Sequence, residues 1–358
     1  MRSIEMLASV AVAVAMVFSG SFAHADDGNS KPAAAPEGEN TKARPVRKVA
    51  SLVEPLPLST EQTVQPTADQ PTRAVAVARP PDGDKLGAPL VPGWILRPVI
   101  PGTAMRLDTT AAPATTNGQT AVDTVSFLSG SYKVAPNFAI GGRFGAFHYE
   151  PVKGDAQDGV TNLMLNGQYG TPVGSHFHVA AVLGVSAPIG SGSGNSPDPN
   201  MTAALIAGRY SRAGMDNTIF FTNYLGFVTG ADVAYHYRRF TTQAEVSVSP
   251  LVRVQGALAS PDTQIVAASA GWMAGYFLLP RLSAAAEARY STVLTTPVAI
   301  EKDPSARNNL SFAAGFRGYF ALTDKVSFRP GVSYGTGIYG KVADLHYQFV
   351  QVDLPVVF

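Results

Sequence analysis

The sequence predicts a transmembrane antiparallel β-barrel of about twelve strands, with fourteen as the alternative, preceded by a disordered Pro-rich segment. Three observations carry this prediction. From about residue 102 onward, apolar side chains alternate with polar or small ones almost without interruption. The alternating runs are twelve to sixteen residues long. Short and long connections also alternate along the chain. A period of two is the strand signal. Runs of this length exceed the roughly 5–6 residues of a soluble strand and fit a tilted membrane strand of about 9–11 residues with overhang.

Composition narrows the alternatives. The 358 residues are 46% hydrophobic and 15% charged, with 34 Gly, 27 Pro, no Cys and a formal net charge of +1. A chain without Cys has no disulfide, no thiolate metal site and no cysteine nucleophile. A charge near zero gives no reason to expect a nucleic-acid partner.

The elements follow in order. Arg2 and the uncharged run Met6–Phe18 lead to an Ala23-His24-Ala25 box, the layout of a secretory signal peptide cleaved after Ala25. Thirteen apolar residues are too few to span about 30 Å of hydrocarbon as a helix. No Cys follows the box, which excludes a lipoprotein anchor. Residues 26–101 form the second segment. Between Asp26 and Ile100 there are 12 Pro, and nine Lys/Arg balance nine Asp/Glu. Its scattered Ala and Val show no period, so it cannot bury enough apolar surface to offset chain entropy and is expected to be a disordered periplasmic extension. The basic run Lys42–Lys48 reads as solvated charge.

Residues 102–358 are the barrel. Phe240–Gln255 shows the pattern best: Phe240, Thr242, Ala244, Val246, Val248, Pro250, Val252 and Val254 share one face, and Thr241, Gln243, Glu245, Ser247, Ser249, Leu251, Arg253 and Gln255 share the other. Charges on one face only fit lipid outside and a polar interior. The expected strands are 102–112, 120–134, 138–150, 159–170, 175–188, 218–237, 239–255, 263–278, 281–294, 307–321, 325–336 and 343–358. Residues 201–212 are the open point: part of a long loop, or an extra pair that would make fourteen. Ser283–Arg289 is helix-prone by composition and Thr263–Pro280 is free of charge, but a lone helix would leave neighbouring sheet edges unpaired in lipid. Short turns fall near 135–137, 171–174, 238–239, 279–281 and 322–325. Longer connections cover 113–118, 151–158, 189–217, 256–262, 295–306 and 337–341. Tyr132, Phe138, Tyr169, Phe177, Tyr235, Tyr237, Phe240, Tyr276, Phe277, Tyr319, Phe320 and Phe328 lie within a few residues of the short turns, as an interfacial aromatic girdle would.

The chain ends with Val350, Val352, Leu354, Val356 and Phe358 on one face. This resembles the closing strand of bacterial outer-membrane β-barrel proteins. The resemblance implies a cell outer-membrane location, lipid as surroundings, and reading of the terminal Phe by the barrel assembly machinery. Pro355 departs from a clean strand. Residues 162–193 (NLMLNGQYGTPVGSHFHVAAVLGVSAPIGSGS), a strand, a short turn and a strand ending in a Pro-Gly-Ser loop, more loosely resemble the barrel family of the phenol-degradation meta pathway. That likeness implies movement of hydrophobic or aromatic compounds across the outer membrane.

The register turns Arg106, Asp108, Arg143, Glu245, Glu287, Arg289, Arg317, Arg329 and Asp353 into the lumen near the short-turn end, with Arg253 further up. Arg106 and Asp353 are placed to pair across the seam, and Glu287 and Arg317 lie on consecutive strands. Such charges need partners; they form either a salt-bridge layer or a selectivity ring. An enzyme is not expected. Twelve-stranded outer-membrane phospholipases imply a Ser/His pair near the outer leaflet, and His148, His176, His178, His236 and His346 offer no complete set. No cofactor or metal is expected; His176 and His178 read as solvated. Two functions remain: passage of a small solute, hydrophobic ones included, through a narrow charged lumen, or a structural barrel that salt bridges close.

Overall fold

The computed structural model describes residues 90–358 except 117, 196–197, 213, 216 and 257–261. The signal peptide with its Ala23 and Ala25 box, and the extension through residue 89, lie outside the described residues.

The described chain forms a closed antiparallel barrel of twelve strands. In order they are β1 (Ala104–Thr116), β2 (Gln119–Ala135), β3 (Phe138–Glu150), β5 (Leu163–Val173), β6 (Phe177–Ala187), β7 (Tyr224–Tyr237), β8 (Phe240–Arg253), β9 (Gln264–Leu279), β10 (Leu282–Val293), β11 (Asn308–Gly318), β14 (Gly331–Tyr339) and β15 (Gln348–Val357). Short strands lie off this ring: β4 (Gln157–Val160) pairs with β3, and β12 (Phe320–Ala321) and β13 (Ser327–Phe328) form a hairpin whose second strand meets β15. Pairing of β1 with β15, from Ala104↔Val357 to Ala111↔Val350, closes the ring. Closure leaves no lipid-facing edge whose backbone groups would go unpaired. The uncharged run at 263–280 and the helix-prone run at 283–289 are both strand, in β9 and β10. Among the described residues no helix is long and apolar enough to cross a membrane.

Burial follows the period of two. On β8 the odd-numbered residues Thr241 to Leu251 are buried, while Phe240, Val246, Val248 and Val252 face outward. Of the twelve aromatics expected in a girdle, Tyr132, Phe138, Tyr169, Phe177, Tyr237, Phe240, Tyr276 and Phe320 are exposed on the outer face near the short-turn end. Tyr235, Phe277, Tyr319 and Phe328 are half-buried; Phe277 packs against the core cluster that holds Val91 and Trp94, and Tyr319 Oη lies 3.0 Å from Ser283 Oγ. Val350, Val352 and Phe358 are exposed there too, on the outer face of β15.

Two prolines inside strands show how the ladder tolerates a missing donor. Pro113 stands within β1, where a loop is expected from the sequence; the connection to β2 is only residues 117–118. Thr115 donates its N–H to Leu345 O, away from β2. Two residues earlier, Pro113 turns the same side outward, past Ala111 where pairing with β15 has ended, so no ladder bond is lost. Pro355 is harder. Arg329 N–H donates to Pro355 O at 2.9 Å, but Pro355 has no N–H to return. Arg317 Nη1 donates to Arg329 O at 3.0 Å instead. A side chain thus supplies the bond that the ring of Pro355 removes.

The largest departure from the expected topology lies between β6 and β7. Residues 201–212 are neither a surface loop nor a strand pair. They belong to α1 (Pro199–Ser211), which with the short α2 (Asn217–Phe220) folds into the barrel. Asp198 caps α1 by accepting from Asn200 N at 2.7 Å, and Pro199 occupies its first turn. Ala204 and Leu205 pack with Phe127, Phe147, Ile219 and Phe220 against the inner wall. The apolar residues of α1 alternate with small ones at no strand period, so the lumen, rather than an amphipathic signal, selects the helix.

Arg317→Met should remove both the donor to Arg329 O and a partner of Asp353. We expect a loss of about 3–5 kcal/mol, read as a lower denaturant midpoint for the folded, heat-modifiable band. In a Pro355→Ala background, where the backbone donor is restored, the loss should be smaller.

Candidate functional site: a filled lumen and its outer vestibule

The lumen is occupied by the chain's own N-terminal side. Residues 90–101, which composition assigns to the disordered extension, are irregular in backbone and buried at Val91, Trp94, Ile95, Leu96 and Val99. Pro92, Pro98 and Pro101 prevent a regular ladder, so the segment's backbone groups need partners from outside. The wall supplies them. Glu287 accepts from Trp94 N (2.6 Å) and Ile95 N (3.2 Å), Glu245 from Arg97 N (2.8 Å), and Thr241 Oγ1 from Val91 N (3.1 Å). In the other direction, Gln351 Nε2 donates to Trp94 O (3.0 Å), Gln243 Nε2 to Arg97 O (2.7 Å), and Arg317 to Gly93 O (3.4 Å). Arg106 also donates to Trp94 O, and Gln168 to Pro98 O. The Arg97 side chain pairs with Glu245 (3.0 Å) and reaches Asp232 at 3.7 Å.

Inward-facing glycines make room for the segment. A Cβ at Gly275 would lie 2.5 Å from Val91, one at Gly271 2.7 Å from Leu96, and one at Gly331 2.6 Å from the Trp94 ring. Glycines at lumen positions of otherwise well-filled strands are the sequence signal of this filling.

The charges expected in the lumen fall into groups. Asp353 takes Arg106 Nε at 2.6 Å across the β1–β15 seam and also takes Arg317. Asp108 takes Arg212 at 2.5 Å, Arg143 at 3.6 Å and Arg106 at 3.7 Å. Arg212, at the end of α1, is fully buried and stacks 5.0 Å from the Phe127 ring; nothing in the strand pattern marks it. Glu287 and Arg317 do not pair. Glu287 stands opposite Ala313 and Arg317 opposite Ser283, four residues apart along the strands, and Glu287 bonds Arg289 at 2.5 Å on its own strand. Arg329 lies outside the layer, between β13 and β14, donating to Ser327 Oγ at 3.1 Å. Arg253 belongs to the opposite end, bonded to Tyr224 Oη at 3.0 Å. The arrangement is therefore not an open ring: arginines and acids meet a peptide backbone laid between them.

Above this layer, α1 and the loop ends enclose a vestibule of about 720 Å³. Its lining is mainly apolar, with Leu205, Ile206, Phe220, Ile265 and Ile300 among the residues, and it also includes Asp123, Tyr149, Tyr210 and Tyr347. Tyr347 Oη donates to Ala207 O at 3.0 Å, tying the β14–β15 connection to α1. Burial, and then the nearby Asp123, Tyr149 and Tyr210, push its phenol well above the usual value. At the rim Lys341 meets Asp303 at 2.6 Å, joining α4 (Lys341–Asp344) to the connection that carries α3 (Val298–Lys302).

Among the described residues no histidine lines this chamber, although His346 stands between its lining residues Leu345 and Tyr347. His176, His178 and His236 gather at the short-turn end, with ring centroids 5.3 Å apart for His178–His236 and 6.0 Å for His176–His236. Among the described residues no group of three His, Cys, Asp or Glu is placed to hold a metal. His148 bonds Asp158 Oδ1 at 2.8 Å and Glu150 Oε1 at 3.3 Å.

A closed barrel with an apolar outer face, an aromatic girdle and a charged interior defines the class: a membrane-spanning β-barrel whose lumen is filled by its own chain. No protein-family model matches the sequence, and no curated protein matches it; the likeness of residues 162–193 to the phenol-degradation barrels therefore gains no support. Solved structures do resemble the chain. An outer-membrane channel from Pseudomonas putida F1 is 13% identical, covers 75% of this chain and 100% of its own, and superposes with a TM-score of 0.48. The NanC porin is 9% identical, over 70% of this chain and 98% of its own, at 0.43. The KdgM porin, solved with disordered oligogalacturonate, is 8% identical, over 71% and 99%, at 0.41. Each score is below 0.5, so none of these likenesses bears on what the lumen of this chain carries.

The rim link gives a pH expectation. The hydrogen bond from Lys341, then that from Ser305, holds the Asp303 carboxyl below its usual range, and Asp303 in turn raises Lys341. A depressed carboxylate contributes stability above its unfolded value and loses it as pH falls through the folded one. A raised lysine contributes below its unfolded value and loses it as pH rises through the folded one. The link should hold across the neutral range and release in acid below about pH 4. Amide hydrogen exchange over residues 298–306 should quicken there, and Lys341→Ala should remove that step.

Proposed function

We propose that the protein is a bacterial outer-membrane channel for a small, mainly apolar solute, held shut by residues 90–101. The solute enters the outer vestibule, and the segment must leave the wall for passage to occur. The observation that carries this reading is the way the segment is held. It is seated by hydrogen bonds to Glu287, Glu245, Thr241, Gln243 and Gln351, by the Arg97–Glu245 ion pair and by glycine-lined hollows, rather than by strand pairing with the wall. Such bonds, each worth about 1 kcal/mol net and about 1.5–3 where a charged group takes part, can be exchanged for water one by one. The mixed lining of the vestibule, apolar with a few polar groups, is that of a small-molecule chamber. Outer-membrane placement is supported by the closed barrel and its outward apolar face.

One observation favours the second reading, a structural barrel. The charged layer is fully engaged, with Asp108 and Asp353 each holding more than one arginine. A cysteine lock separates the two readings. The Cβ built at Gly275 is 2.8 Å from Val91 Cβ, about 1 Å from the ~3.8 Å that a disulfide uses, and the chain has no other cysteine. The mature Val91→Cys/Gly275→Cys chain in a planar bilayer should be silent when oxidised and pass current when reduced. Trp94→Ala should raise the open fraction. A folded barrel that stays silent in the reduced lock and in Trp94→Ala alike would establish the structural reading.

A further inference from the structure

The plugging segment and the arginine layer leave Asp123 aside. It is 1% exposed, stands on β2 and lines the vestibule, yet among the described residues neither carboxylate oxygen receives a hydrogen bond. Ser211 beside it gives its hydroxyl to Gly208 O at 2.8 Å. An acid left so within an apolar wall is costly unless something arrives to meet it. Four tyrosines line the same chamber: Tyr149 pairs directly across the ladder from Asp123, Tyr210 and Tyr347 stand with ring centroids 6.2 Å apart, and Tyr224 donates to Asp262 O. The other charges of the lining are engaged: Lys341 with Asp303, Asp262 with Val298 N–H, Arg253 with Tyr224, and Arg209 over the Tyr210 and Phe221 rings at 5.1 and 5.6 Å. A carboxylate beside phenol rings, in a chamber whose other charges are taken and whose lining is mainly apolar, is the chemistry that receives an ammonium group on an apolar body.

We infer that the vestibule is a binding site for small apolar amines, with the ammonium on Asp123 between Tyr149 and Tyr347 and the apolar part against Leu205 and Ile206. The inference rests on the vestibule being the solute's entry chamber and names the class of solute. About 720 Å³ lies within the roughly 300–1,000 Å³ of small-molecule pockets. The ammonium gives the buried carboxylate an ionic partner, and a cation beside phenol rings gains further attraction from their π-faces.

Calorimetric titration of the refolded mature chain in uncharged detergent tests this, with phenethylamine as the amine and 2-phenylethanol as its neutral counterpart. The amine should bind more tightly than the alcohol. Asp123→Asn should weaken the amine about 10- to 100-fold and leave the alcohol unchanged. Should Asp123→Asn fail to fold, Ile206→Lys serves: Ile206 is 45% exposed and lines the chamber, and the added charge should weaken the amine relative to Ile206→Gln. Equal binding of amine and alcohol, or an amine affinity that neither substitution changes, overturns the inference. The channel reading fails separately: a barrel that binds the amine but never conducts keeps this site and loses passage, and one that conducts without binding the amine does the reverse.

Discussion

The structure depends on a mutual need for partners inside the barrel. The wall carries Glu245, Glu287, Asp353, Arg106 and Arg317 turned inward and buried. Residues 90–101 carry backbone donors and acceptors that no ladder satisfies. Each set meets the other's need, at Trp94 N and O, Ile95 N, Arg97 N and O, and Gly93 O. Without the segment the acids and arginines would need water or one another; without the wall the segment would be a solvated Pro-rich chain. Buried charge and irregular backbone are each unfavourable alone and are stable together.

The same arrangement fixes closure. Asp353 lies on the last strand and Arg106 on the first, and their contact crosses the seam at the register Asp108↔Asp353. Arg317 joins Asp353, supplies the bond that Pro355 cannot make and stacks 4.7 Å from the Trp94 ring. One guanidinium thus serves the seam, the proline defect and the plugging segment. At the other end Arg212 carries α1 down to Asp108, so the helix and the segment reach the same acid cluster from opposite sides. Val91, Trp94 and Leu96 share one buried cluster with Tyr210, Tyr347 and Phe349, which makes the two fillings continuous. The vestibule is what remains above them.

The outer shell was legible in the sequence. Strict alternation with charge on one face, long runs, and aromatics beside short turns give twelve strands and their inward residues, Arg106 and Asp353 included. The seam followed from the topology, because the first and last strands of a closed barrel are neighbours. The filling was not legible. Residues 90–101 have the composition of a solvated linker, and composition cannot reveal that Glu287 and Glu245 wait inside a lumen for its N–H groups. The signal present, glycine at 271, 275 and 331, is ambiguous until the lumen that it hollows is known. Residues 201–212 carry Ala, Ile and Gly that suit a strand, a helix or a loop.

Local sequence thus determined the wall, since a period of two with lipid on one side leaves one register for each strand. Only tertiary structure decided what occupies the interior: where 90–101 runs, that 199–211 is helical, that Glu287 bonds Arg289 rather than Arg317, and that Asp123 stands unpaired. The physical reason is range. Apart from the β1–β15 seam, strand pairing here links neighbours along the chain, whereas the filling joins Trp94 to Glu287 and Gln351 and Arg212 to Asp108. Those contacts cross a hundred residues or more and exist only once the barrel has closed around them.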